Sequence, residues 1–412
     1  IDFDDVTGIG PYSMYPRTSA IEANQVLNLT GAPYILPNYR ANSKVVFQNK
    51  NMMCQYRAVG HPIAMAICDC LIEDAARVLE VDPVEIRRYN LMPDDGYPCT
   101  SAAGMKLDDL SHHKCINKLV EIMDYETLKT KRDELRRSGV YRGIGFVSMV
   151  EVTNPSPMFY GVGGAPIASQ DGATIRLDAG GAIHVASSIT EQGQGTNAIM
   201  AQIAAGIFGV SLDKVHVTTG DTRVTPYGGG TWASRGAGIG GEATLQAAKL
   251  LKSQVLEVAG SILQTTQEKL DIDHGNIVDI DGGDIRMSLS DLARTVYYRG
   301  NELPHDLRPE LVASHHYRVT DTPFVFTNGA MAAEVEVDIE TGIVSVLNFW
   351  AVEDCGRVIN PMLVDEQIRG GVVQGIGSAL YEECLYSEDG QLLNPTMADY
   401  LVPMASEMPD IV

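Results

Sequence analysis

The chain has 412 residues, 45% hydrophobic and 20% charged, with 53 acidic side chains against 31 basic ones and a formal net charge of −22. That length predicts two or more domains around real cores. The acidic balance argues against nucleic acid or an anionic membrane as the main partner, because either needs clustered Lys and Arg, and no apolar run is long enough to span a bilayer.

Residues 1–58 read as turns and short strands, punctuated by Pro11, Pro16, Pro33 and Pro37. A helix is predicted after Gly60-His61-Pro62, with Ile63, Ile67, Leu71, Ala75, Val78 and Leu79 on its apolar face. Asp82-Pro83 starts another, Asp82 as N-cap and Pro83 as the first helical residue. Residues 104–138 are polar and helical, and the charges from Lys129 to Arg137 read as a solvated face. The pattern changes near Tyr141, so the domains are predicted to be 1–140 and 141–412. Thr174–Asp178 and Ile183–Ser188 form a predicted hairpin around Ala179-Gly180-Gly181. A helix over Thr196–Phe208 carries Ile199, Ile203 and Ile207 on one face, and Val215–Thr219 is a strand. A long helix follows over Glu242–Leu263, then short elements alternate with polar turns to residue 325. Glu334–Ile339 and Ile343–Leu347 make a second hairpin, and a last helix is predicted over about Gly370–Glu383.

Two glycine-rich stretches stand out, Thr190-Glu191-Gln192-Gly193-Gln194-Gly195 and Thr225 to Gly236, each directly before a predicted helix. Bare amides at a helix start favour anions, so the pair suggests a ligand with a phosphate or pyrophosphate; ordinary tight turns are the alternative. Gly236-Ala237-Gly238-Ile239-Gly240-Gly241 fits G-x-G-x-x-G, but no apolar strand precedes it, so close helix packing explains these glycines better than a nicotinamide site. Cys54, Cys68, Cys70, Cys99, Cys115, Cys355 and Cys384 are scattered. They fit reduced thiols in a cytoplasmic protein rather than disulfides, an iron–sulfur cluster or a zinc site. His112-His113-Lys114-Cys115 and His315-His316 lack a second cluster to complete a metal site, and His184 reads as a strand histidine. Arg57, in a small-residue turn, could aim its planar fork at an oxyanion or simply lie on the surface.

Taken in order, these pieces resemble the molybdenum-binding subunit of the xanthine dehydrogenase/aldehyde oxidase family of molybdenum hydroxylases, from Gly10-Pro11-Tyr12 to Pro403. The resemblance rests on Tyr56-Arg57-Ala58-Val59-Gly60, Val81-Asp82-Pro83 through Leu91, Glu191 to Gly195, Gly228 to Arg235, Asp354-Cys355-Gly356-Arg357-Val358-Ile359-Asn360-Pro361, Gln367 to Gly371, Gln374-Gly375-Ile376-Gly377, and Asp399-Tyr400-Leu401-Val402-Pro403. It implies an α/β (mixed α+β) fold of two elongated molybdopterin-binding domains, with mixed sheets flanked by helices. The implied cofactor is molybdopterin cytosine dinucleotide, whose pterin dithiolene holds molybdenum without a side-chain ligand. Gln192, Gly193, Gln194, Gly195, Gly229, Gly230, Thr231, Trp232, Ala233, Ser234, Arg235 and Gln374 would hold that cofactor. Arg57 would serve the chemistry beside the molybdenum oxygen ligand, and Val59 and Gln25 would face the substrate.

The implied reaction is hydroxylation with water, with electrons leaving through [2Fe–2S] and FAD on partner subunits. The family's catalytic glutamate lies beyond the Asp-Tyr-x-x-Pro segment, past Val412, and its early Gly-Gly-Gly-Phe-Gly turn would precede Ile1. The resemblance therefore predicts a central fragment or one piece of a split subunit, working with another molybdopterin-binding chain. Purine oxidation is disfavoured, since no arginine occurs in Ile21–Asn28 and Val59 replaces a phenylalanine. An aldehyde or an N-heteroaromatic such as nicotinate or quinoline is the expected substrate, and Pro155 to Tyr160 is a candidate pocket segment. A scaffold without turnover and a nicotinamide-dependent dehydrogenase are the rival readings.

Overall fold

The computed structural model describes residues 1–11, 20–52, 57–158, 168–305, 307 and 310–412. Tyr12, Pro16, Cys54, Gln55, Tyr56, Phe159 and Tyr160, singled out from the sequence, lie outside them. The chain divides into two compact units, 1–152 with 326–412, and 153–325. The first unit is assembled from two separated stretches of the chain.

In the first unit, β1 (Asp2–Ile9) pairs in parallel with β2 (Arg40–Phe47). Between them lies α1 (Ala20–Leu29), where the sequence reading expected only turns and short strands. Its core face, Ala23, Gln25, Val26 and Leu29, includes a polar residue, which blurs the apolar period. The helices α2 (His61–Leu79), α3 (Pro83–Asn90), α4 (His112–Ile122) and α5 (Tyr125–Arg137) follow, with the small ribbon β3 (Cys99–Thr100) and β4 (Lys106–Leu107) between α3 and α4. Asp82 caps α3 as expected, accepting from the Val84 amide at 2.8 Å.

The face expected to bury α2 is largely the exposed one. Leu71 is 49% exposed and Val78 73%, while Ala64, Met65, Cys68, Asp69 and Ala76 point inward. A buried polar network turns the helix this way. Asp69 accepts from the Tyr34 hydroxyl at 2.8 Å and from Arg87 Nε at 3.2 Å, and Arg87 Nη2 reaches the Phe146 carbonyl at 2.8 Å. Arg87 is fully buried, so its charge needs these partners on the inner side of α2.

The strands β5 (Tyr141–Thr153), β13 (Val325–Val337) and β14 (Val344–Asp354) form one sheet in the order β14-β13-β5, so the chain leaves and re-enters the first unit on neighbouring strands. The last helix, here α9 (Pro361–Leu380), begins well before Gly370. Asn360 caps it through the Leu363 amide at 3.1 Å with Pro361 in the first turn, a start signal that the glycines at 370 and 371 obscured.

The second unit is built on a mixed sheet ordered β12-β6-β7-β8, from β6 (Asp171–Leu177), β7 (Ile183–Ser187), β8 (Val215–Thr218) and β12 (Val312–Tyr317). The expected hairpin is the antiparallel β6–β7 pair, and β7 runs parallel to β8. The crossover between them is α6 (Thr196–Phe208), while α7 (Gly241–Leu263) is the long helix. Met200, Ala204 and Phe208 of α6 join Ala247, Leu251 and Val255 of α7 and Ile175 and Val185 of the sheet in the core. The buried row of α6 thus sits one position beyond the expected isoleucines. A small sheet of β9 (Leu270–Asp273), β10 (Asn276–Asp279) and β11 (Ile285–Ser288), followed by α8 (Leu289–Tyr298), completes the unit.

Candidate cofactor site

The first glycine turn leaves the carboxyl end of β7 and opens α6, a usual place for ligands in α/β units. The second glycine turn meets it. The Thr231 hydroxyl accepts from the Thr190 amide at 2.8 Å and donates to the Thr190 carbonyl at 2.6 Å. Gln194 Nε2 donates to the Thr190 carbonyl at 3.2 Å and to the Thr196 hydroxyl at 2.7 Å. Residues 192–195 and 229–235 therefore build one continuous surface, a juxtaposition that spacing alone could not reveal.

The amides, however, already have an anion. Glu191 Oε1 accepts from the amides of Gln192, Gly193 and Gly195 at 3.2, 2.9 and 3.0 Å, and its Oε2 accepts from Asn197 at 2.9 Å. Burial pushes the Glu191 carboxyl up, but the four amides outweigh it and hold its pKa below the usual value. In the second turn, Asp171 Oδ1 accepts from Gly229 and Gly230 at 3.1 and 3.3 Å and from Ser188 at 2.8 Å. Asp171 in turn pairs with Arg235, both fully buried, and Arg235 Nη1 donates to the Ala168 carbonyl at 3.0 Å. Arg235 is thus a brace beneath the turn rather than a group facing outward. The simple picture of bare amides waiting for a pyrophosphate needs this correction: internal carboxylates occupy them.

What the turns leave open is backbone surface. Side chains at Gly193 or Gly230 would project into empty space, with nothing within 4 Å. Gln192 and Ser234 are exposed beside them. Ala233 and Ser234 both take left-handed conformations, φ 50° and 49°, rare for residues with a Cβ. They lead into a π-helical segment, Gly236–Gly240, ahead of α7. A Cβ at Gly238 would stand 2.2 Å from the Asn154 side chain, and one at Gly240 2.3 Å from Ile189, so close packing accounts for these two positions.

Arg57, Val59, Gln25 and Gln374 belong to the first unit. Arg57 opens a turn in which Ala58, Val59 and Gly60 have φ of 68°, 26° and 76°. Its Nη2 donates to the Gln367 carbonyl on α9 at 2.8 Å, and the guanidinium lies over Gly371, where a Cβ would be 3.3 Å away. Gln374 lies two helical turns beyond Gln367 on the same face of α9. Gln25 is buried under the turn, its Cβ 3.1 Å from where a Gly60 Cβ would stand, and its Oε1 has no hydrogen-bond partner among the described residues.

Sequence reasoning missed Glu353. Its carboxyl is raised to about 7, by burial first and by the neighbouring Glu151 charge second, against the pull of Arg57. Gly329 faces Glu353 across β13–β14, and the Glu353 stem lies 3.1 Å from where a Gly329 Cβ would be.

The other candidates are structural. His112 is buried with Nε2 2.9 Å from the Met149 carbonyl, and His184 sits 2.7 Å from Asp178. Cys68 is buried and Cys70 exposed, on different faces of α2 as expected.

Two sequence families, both described as molybdopterin cofactor-binding domain, match residues 1–91 and 118–409. The chain belongs to the molybdopterin cofactor-binding family. Its motif order is that of molybdenum-binding subunits of the xanthine dehydrogenase/aldehyde oxidase group, as the sequence implied. It is 34% identical to the nicotine 6-hydroxylase large subunit of Paenarthrobacter nicotinovorans, over 97% of this chain and 49% of that protein. It is 29% identical to the carbon monoxide dehydrogenase large chain of Hydrogenophaga pseudoflava, over 93% of this chain and 48% of that one. Among solved structures, quinoline 2-oxidoreductase from Pseudomonas putida 86 superposes with a TM-score of 0.90 at 34% identity, covering all of this chain and 52% of that one. The chain spans about half the length of the relatives it matches.

The residues present fit such a cofactor in one respect: no side chain stands over the joined turns at Gly193 and Gly230, where the space is open, although both amides are taken by Glu191 and Asp171.

Proposed function

We infer that this chain is the cofactor-holding part of a molybdenum hydroxylase that oxidises an N-heteroaromatic ring with water. The joining of the two glycine turns through Thr190 and Thr231 carries the reading, because it makes one ligand surface from the motifs that define the family. The ring preference rests on the nicotine- and quinoline-named relatives, each at 34% identity, and on Val59 and Gln25 in place of the purine-type residues. An aldehyde is the second substrate class.

When bound, a molybdenum pterin supplies oxygen transfer from water and takes up the electron pair. This chain's residues bind and orient. In the second unit Gln192, Gly193, Gln194, Gly195 and Gly229 to Ser234 would hold the pterin, with Arg235 bracing from below. In the first unit Gln374 would contact the cofactor, Arg57 would present its fork to an oxygen, and Val59 would face the substrate. The [2Fe–2S] clusters and the FAD belong to partner chains in this reading. The cytosine dinucleotide form is kept, with its pyrophosphate placed away from the amides that Glu191 and Asp171 fill.

The test is metal and pterin analysis of the purified complex, with quinoline, nicotinate and benzaldehyde as substrate probes. Molybdenum, a released cytidine nucleotide and hydroxylation of a heteroaromatic are expected. Absence of both molybdenum and pterin refutes the reading. Full hydroxylation by an Arg57→Ala complex would leave the chain a scaffold.

A further inference from the structure

The turn after Arg57 is costly as built. Three successive residues have positive φ, and Val59 is β-branched, the kind of residue least tolerant of that region. Gly60 precedes α2 without a side-chain cap. A Cβ on Gly60 would lie 2.5 Å from the Glu22 carbonyl, so α1 closes one side of the turn. Something else must hold the backbone left-handed.

His61 does so. The residue is 8% exposed. Nδ1 contacts the Ala58 carbonyl and lies 3.1 Å from the Val59 carbonyl, while Nε2 lies 3.1 Å from the Val152 amide in β5. The Val152 amide can only donate, so Nε2 is the acceptor and the proton sits on Nδ1. The tautomer follows from the partners on both sides of the ring. The imidazole ties the Ala58–Val59 carbonyls to the sheet.

The geometry points to His61 as the positioning residue for Arg57, fixing the left-handed turn from which the guanidinium reaches Gln367 and Gly371. This rests on the reading above only for what Arg57 then does; the positioning itself is testable without turnover.

The experiment compares wild type with His61→Asn, His61→Gln and His61→Ala in the purified complex. Asn keeps a side-chain N–H near the Nδ1 position, whereas Gln keeps only an acceptor near Nε2. Phenylglyoxal labelling of Arg57 is followed by peptide mass spectrometry, with the exposed Arg223 as internal reference. Arg57 labelling relative to Arg223 should rise about fivefold in His61→Gln and His61→Ala, the factor for one net hydrogen bond. In His61→Asn it should stay near wild type. Molybdenum content and thermal midpoint are recorded in parallel. Equal relative labelling in all forms overturns the proposal, as does a rise shared by Asn and Gln. If His61→Ala does not accumulate, the Asn and Gln pair decides. Arg57→Lys separates the two ideas: undiminished turnover in that variant refutes the role of Arg57, while the labelling pattern still judges His61.

Discussion

Asp171→Asn should be among the most damaging isosteric changes in the second unit. Asp171 and Arg235 are both 0% exposed, so the variant leaves a guanidinium buried against a neutral amide. Breaking a buried pair on one side costs about 3–5 kcal/mol. Asp171 Oδ1 also accepts from Gly229, Gly230 and Ser188, and replacing a charged acceptor by a neutral one weakens the set by about 1 kcal/mol more. The total, about 4–6 kcal/mol, is a large part of the 5–15 kcal/mol that holds a typical domain. Urea unfolding of the 412-residue chain, fitted at constant slope, measures it. The double variant Asp171→Asn/Arg235→Met, which removes the stranded charge, should recover at least half of the loss. A single-variant loss below about 1 kcal/mol, the value of an exposed pair, would refute the argument that this pair braces the turn from a dry interior.

Three further outcomes are expected. Glu191→Ala should lose about 1–3 kcal/mol in urea unfolding, since four amides lose a half-exposed acceptor. It should also bind inorganic pyrophosphate by calorimetry where wild type does not, and absence of binding in both would show that the freed amides do not converge. Glu353 holds a proton up to about pH 7 when folded but only to about 4.5 when unfolded, so its contribution to stability is lost as pH rises through that window. Glu353→Gln should therefore be more stable than wild type at pH 8, by about 1–2 kcal/mol after screening, with the two converging at pH 4.5; a less stable variant at pH 8 contradicts the cause assigned. His112 is depressed to about 4 by burial, so stability through it is present above its unfolded value of 6.5 and lost as pH falls towards 4. His112→Gln should flatten that acid limb by about 3 kcal/mol, seen as a difference in thermal or urea midpoints between pH 6.5 and 4. Parallel curves for the two proteins would exclude His112.

Much of the local structure follows from the sequence because its causes are local. The β6–β7 hairpin turns at Ala179-Gly180-Gly181, Asp82-Pro83 starts α3, and Gly238 and Gly240 pack closely against Asn154 and Ile189. The motif order carries the family likeness, since it depends on no contact. Tertiary structure decided the rest. The apolar period of α2 points outward because Arg87, supplied from α3, demands Asp69 on the inner side. Thr190 and Thr231 close one surface across a separation that no periodicity encodes. The amides that looked free are taken by Glu191, a neighbour in sequence, and by Asp171, which only the fold brings to Gly229. A buried charge or an unpaired amide must find a partner, and which partner it finds depends on what the folded chain places beside it.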